Sequence, residues 1–169
     1  MNMYFSARTQ TLAQFKEVYD KRLLNETPQD GSPVIFCAMA NQTPQNRYDI
    51  VKFLIGEGAE LKGTNEESET LFHILFSRPK HIMEQTVDLT QILIDAGVDI
   101  NQLDAKHRAA IQYLISHPKF TDEDFAPLYD VIFQNCTLEV NAKNDWGYTP
   151  IELARKLQYR ADLLKRMTE

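Results

Sequence analysis

A chain of 169 residues with 43% hydrophobic and 25% charged side chains is long enough for one domain with a continuous core, and this composition excludes global disorder. The formal charge of −6 is spread along the chain, which argues against non-specific binding to a phosphate backbone, so no nucleic-acid partner is expected. No apolar run approaches a membrane span, Met1 is followed by polar residues rather than a signal core, and Cys37 and Cys136 stand far apart with no CxxC. These features predict a monomer in the cytoplasm, with no membrane association.

In chain order, "TLAQFKEVYDKRLL" places Leu12, Phe15, Val18, Tyr19 and Leu23 on one stripe, which predicts a helix within residues 1–29. Thr43-Pro44 is suited to be N-cap and first residue of the next long helix. "YDIVKFLIGEGAEL" and "LTQILIDAGVDIN" each read as an apolar helix stopped by a glycine in the left-handed position after the C-cap. Near the C-terminus Arg155, Lys156, Arg160, Lys165 and Arg166 cluster, as cations do in a last helix turn. No convincing period-two run suggests a sheet, and the fold class expected is all-α.

A repeat underlies these elements. The pairs Ser32-Pro33, Thr70-Leu71, Ala109-Ala110 and Thr149-Pro150 recur at intervals of 38, 39 and 40 residues. Each opens a short apolar helix: "PVIFCAM", "LFHILF", "AIQYLI" and "PIELARKL". Two of these stop at the same proline signal, "SRPK" and "SHPK".

With "NDWGYTPIELA" at one end of a unit and "DAGVDIN" at the other, the chain resembles the ankyrin repeat family, over roughly residues 27–160 as four units. The resemblance implies an α-solenoid of stacked helix-turn-helix repeats with projecting turns or β-hairpin fingers. A capping helix is expected over 1–29, repeats over 30–67, 68–106 and 107–146, and a C-terminal capping repeat over 147–169. The units exceed the family's length of about 33 residues, and the excess falls between the two helices of each unit. Pro127 places the start of the third long helix near Asp124 rather than Thr121. The third unit is also the least faithful. Ala109-Ala110 replace the capping Thr-Pro, and His107 stands where the fourth unit has Gly147, so this unit is expected to be the weak joint.

No nucleophile elbow, phosphate loop, HExxH or dinucleotide fingerprint is present, and His73, His81, His107 and His117 show no ligand spacing. Cys37 occupies a small core position, which favours a packed thiol over a nucleophile. Neither catalysis, a metal nor a cofactor is expected. The resemblance gives His73 a structural role, bonding the backbone of the neighbouring turn. It also implies a partner protein, of unknown identity, on the concave face formed by fingers and inner helices. On this register the finger residues are Glu66, Glu67 and Glu69, then Lys106 and Arg108, then Trp146 and Tyr148, with Arg78 and His117 at the inner-helix ends. Trp146 has two competing readings, a binding anchor or a cover for Leu157 or Tyr159. The leading function is a non-catalytic protein-binding module. An inhibitor or immunity-type protein that neutralises an enzyme or toxin is the alternative, and an unrecognised enzyme stands further off.

Overall fold

In the computed structural model, which describes residues 2–29 and 31–169, every regular element is a helix. In chain order these are α1 (Met3–Thr9), α2 (Leu12–Val18), α3 (Val34–Met39), α4 (Pro44–Gly56), α5 (Leu71–Phe76), α6 (Met83–Asp95), α7 (Ile111–Ile115), α8 (Asp122–Asn135), α9 (Pro150–Arg155) and α10 (Ala161–Thr168). The short helices α1, α3, α5, α7 and α9 touch in succession, and α2, α4, α6, α8 and α10 form a second file beside them. The molecule is all-α, and among the described residues no strand occurs, so the turns that precede the short helices are not β-hairpins.

The two files differ because their sequences do. All six residues of α3 and all six of α5 are buried, which suits helices held between neighbours on either side and the second file behind. The longer α4, α6 and α8 bury one stripe each, through Ile50, Val51 and Leu54, through Leu89 and Leu93, and through Phe125, Leu128 and Ile132. One apolar cluster runs from Phe15 through Phe72 and Leu114 to Leu163. These second-file helices are the long ones, spanning 13, 13 and 14 residues.

Helix ends follow local chemistry. Gly58 and Gly97 adopt φ of 98° and 80°, and each closes its helix with paired bonds, Ala59 N–H to Leu54 O and Gly58 N–H to Ile55 O in the first case. Thr70, Thr121 and Thr149 cap α5, α8 and α9 with reciprocal bonds from the third residue. Helix α7 has no such cap. Ala110 stands before it in helical conformation, and the helix is the shortest of the ten, at five residues.

Three expectations need correction. Residues 1–29 hold two α-helices rather than one, because the chain turns extended at Gln10 (φ −120°, ψ 177°) and Thr11 caps a new start. Helix α1 is capped by Asn2, and its small buried residues Ser6 and Ala7 let it lie against α3. Helix α8 starts at Asp122, not near Asp124. Pro127 lies inside it and removes only the bond to the carbonyl of Glu123, an exposed residue, while the Thr121–Asp124 capping box fixes the earlier start. Arg160 does not sit in the last turn of the final helix, α10, but ends the short 3-10 turn Gln158–Arg160 before it. Arg160 is fully buried, and donates to the carbonyls of Ile115, His117 and Phe120 and to Asp122.

Arg47 performs the same task at the other end, bonding the carbonyls of Asn41 and Lys80 while 2% exposed. Burial, with Arg78 nearby, lowers its pKa to about 10, so it remains charged at neutral pH. Both arginines pin the segments that join a short helix to its long one, where carbonyls would otherwise be left unpaired.

Candidate functional site

Three turns precede α5, α7 and α9, and they share one geometry. Asn65, Asp104 and Asn144 each accept with Oδ1 from the backbone N–H groups two and four residues on. Each also closes the turn by donating its own N–H to the carbonyl of that fourth residue, Glu69, Arg108 or Tyr148. The third position after each anchor is left-handed: Ser68 at φ 58°, His107 at φ 56° and Gly147 at φ 85°. Only glycine adopts this conformation without strain, so Ser68 and His107 each cost roughly 1 kcal/mol.

The turns are linked edge to edge. Ala105 N–H donates to Glu67 O at 2.8 Å, and Asp145 N–H donates to Lys106 O at 3.0 Å. His107 Nδ1 lies 2.7 Å from Asp145 Oδ1 across the outer rim. His73 adds a deeper tie: Nδ1 accepts from Thr70, and Nε2 donates to the carbonyl of Arg108 at 2.8 Å. Burial lowers the pKa of His73, which keeps the ring neutral and able to serve both roles. The structural role expected for His73 is what the geometry contains.

The expected site residues separate into exposed and committed groups. Glu66 and Glu67 are exposed, and half-buried Glu69 accepts from the Asn65 amide. With Arg8, Gln42 and Arg78 they border a polar depression of about 570 Å³. Lys106 is exposed. Arg108 is half-buried, and its Nε holds the buried Asp104 carboxylate at 2.8 Å. Burial pushes the Asp104 pKa up, but the bonds from Arg108 and Lys106 outweigh it and leave it below the usual carboxylate range. Trp146 is 58% exposed and Tyr148 36%.

Two expected contacts are committed to the fold. Arg78 spends its guanidinium on the carbonyls of Ile74 and Ala40 and on the Ser77 hydroxyl. His117 is only 3% exposed, so the expectation of a partner-facing ring fails: Nε2 donates to Arg78 O, and Nδ1 accepts from the N–H groups of Lys119 and Phe120. Packing against Phe120 and Phe125 holds it there.

A second depression, about 330 Å³, lies between the second and third turns. Its walls are Tyr113, Trp146, Tyr148 and Leu153, with Arg108, Gln112, Ser116 and Asn144 between them. Cations face the rings: Arg108 lies 5.1 Å from Tyr113 and 5.9 Å from Trp146, Lys106 lies 5.7 Å from Trp146, and Lys156 lies 3.6 Å from Tyr148. Burial pushes the Tyr113 pKa up to about 12, against the lowering effect of Arg108. Sequence reasoning missed Gln112, Tyr113 and Lys156. The first two follow directly from the register, one and two residues beyond the alignment pair's next apolar position, where the second unit has His73 and Ile74.

Among the described residues no group of three or more His, Cys, Asp or Glu side chains converges as metal ligands, and no helix is long and apolar enough to cross a membrane. The Cys37 thiol is buried, and burial raises its pKa despite the Arg8 guanidinium 3.7 Å away.

No protein-family model and no curated protein matches the chain. Among solved structures it is similar to a functionally unknown protein from Leptotrichia buccalis C-1013-b, with a TM-score of 0.86 and 25% identity, covering 99% of this chain and 91% of that one. The likeness extends over nearly the whole helical array and brings no activity with it.

Proposed function

We propose that the chain is a non-catalytic protein-binding module of the ankyrin-repeat type, a solenoid whose turns and short helices form a concave face for a partner protein. It acts as a monomer in the cytoplasm. The observation that carries this reading is the row of three like turns, fastened to one another by backbone bonds and displaying side chains that the fold does not use. Glu66 and Glu67 are displayed by the first, Lys106 by the second, and Trp146 and Tyr148 by the third. Trp146 in particular belongs to no part of the apolar cluster. A tryptophan 58% exposed on an otherwise well-packed chain is the residue type that dominates binding energetics.

The mechanism is complementarity on a rigid support. Because Asx bonds and inter-turn bonds already order the backbone, a partner meets side chains that lose little freedom on binding. The separated acidic and basic groups select a partner with opposite patches and make association sensitive to salt. Exposed Glu66 and Glu67, with the net charge of −6, also suit a second reading, an inhibitor that covers the basic cleft of an enzyme.

Affinity capture from the source cells tests the proposal, comparing the wild type with the Trp146→Ala, Tyr148→Ala double variant. A protein retained by the first and lost from the folded second is the expected outcome. Equal retention by both places the contact elsewhere.

A further inference from the structure

The depression between the second and third turns is lined by a residue whose hydrogen-bond donor has nothing to bind. Asn144 Oδ1 accepts from two backbone N–H groups, so its Nδ2 must be the donor toward Gln112, at 3.2 Å from Gln112 Oε1. That fixes the orientation of the Gln112 amide: oxygen toward Asn144, nitrogen away. Gln112 is 5% exposed, and its Nε2 finds no acceptor among the described residues. One unit earlier, His73 stands in the same register and donates its Nε2–H to Arg108 O. At Gln112 the equivalent donor is buried and has no acceptor, in a residue that lines the depression. A buried N–H without a partner is costly, and an arriving oxygen acceptor relieves that cost.

The surroundings restrict what can bring that oxygen. Aromatic rings of Tyr113, Trp146 and Tyr148 offer apolar walls. Lys106, Arg108 and Lys156 stand over those rings. The nearby anions are largely engaged. Asp104 is held by Arg108, Asp145 by His107, and Glu152 accepts from the Thr149 N–H, while Glu69 lies one turn away with its Oε1 on Asn65. Arg108 donates through Nε to Asp104, and its Nη atoms donate to no acceptor among the described residues. A volume of about 330 Å³ accommodates a short stretch of extended chain rather than a folded element.

We propose that this depression receives an acidic peptide segment of the partner: an apolar side chain between the aromatic rings, a main-chain carbonyl on Gln112 Nε2, and a flanking carboxylate on Arg108 and Lys156. This deepens the protein-binding reading and rests on it. A basic segment is disfavoured because three cations would meet it.

The experiment is selection of random dodecapeptides displayed on phage against the intact chain, followed by titration of the enriched synthetic peptides. Trp146 is the only tryptophan in the chain, so its emission reports occupancy of this depression directly. The expected result is enrichment of peptides pairing Asp or Glu with one aliphatic or aromatic residue, which shift the Trp146 emission. Their affinity should fall about thirtyfold, read by calorimetry, in Trp146→Ala and in the exposed double reversal Lys106→Glu, Lys156→Glu. Gln112→Glu keeps the acceptor for Asn144 but removes the donor, and should weaken binding about tenfold with thermal unfolding recorded alongside. Should that variant fail to fold, the exposed lysine reversal decides alone. Enriched peptides that are basic, or that bind all variants equally, overturn the proposal. If peptides instead lose binding on Glu66→Lys, Glu67→Lys, this site is wrong while the turn-face reading survives. Absence of any enriched peptide overturns the site assignment, whereas the turn-face reading is still judged by the capture experiment.

Discussion

The junction between the first and second turns and the junction between the second and third occupy the same register and are built differently. At the first, His73 completes a capping box with Thr70 and reaches across to Arg108 O, so every polar atom of the ring is used. At the second, Ala109 leaves α7 uncapped, Gln112 turns its oxygen to Asn144, and its N–H group is unmatched. The turns there are joined by one backbone bond and by the His107–Asp145 pair on the rim. The lesson is that one position in a repeat serves as a fastener in one unit and is released from that duty in the next. The released junction is also where Trp146 and Tyr148 stand exposed.

The largest expected effect falls on the fastened side. His73→Ala removes three bonds from a fully buried ring and leaves a void, and should cost about 3 kcal/mol in chemical denaturation. A loss near that of a surface substitution would show that the tie is incidental. Hydrogen exchange should then report α7 as the least protected of α3, α5 and α7. Greatest protection at α7 would erase the contrast.

Acid should act on the fastened and capped parts in the same direction. Burial lowers the folded pKa of His73 and His117, and that of His81 falls to about 3 through burial and the charge of Arg47. Their unfolded value is 6.5, so the unfolded chain binds more protons as pH falls below it. The stability these rings contribute is full above pH 6.5 and declines below it, each by at most about 1.4 kcal/mol per pH unit until its folded pKa is passed. Urea titrations between pH 7.5 and 4.5 should show the decline, and His81→Phe should flatten it. A flat wild-type profile would mean the rings are protonated in the fold.

Smaller effects come from repairing the open junction. Ala109→Thr with Gln112→His installs the box and the reach of the second unit, and should gain about 1 kcal/mol while weakening partner binding. His107→Gly removes left-handed strain but also the Asp145 contact, so it should gain at most about 1 kcal/mol in thermal unfolding. Trp146→Ala should change stability by less than about 0.5 kcal/mol, as expected of an exposed side chain outside the core. A loss of several times that would restore the view that Trp146 is packing.

Much of this was legible in the sequence, where local chemistry dictates geometry. The helix-ending glycines Gly58 and Gly97, the Thr70 and Thr149 starts and the left-handed demand on His107 all appear as expected, because each is settled within a few residues. The misreadings share a different cause. Arg160 looks like a solvated cation in a helical pattern, and only distant carbonyls such as that of Phe120 make its burial tolerable. His117 was placed outward by its position at a helix end, yet it is drawn inward by Arg78 O, 39 residues earlier. Of the two N-terminal helices α1 was missed although Asn2 announces its start, whereas α2 lies within the expected stripe. For the candidate site, the exposed fingers could be read from register, while the open amide of Gln112 depends on which way Asn144 points.

The most direct measurement is hydrogen exchange on the chain alone and saturated with the protein it captures. Slowed exchange should gather at residues 65–69, 104–108 and 144–149 and at Gln112 and Tyr113. Slowing confined to the outward surfaces of α4, α6 and α8, with the three turns unchanged, would contradict binding through the turn face.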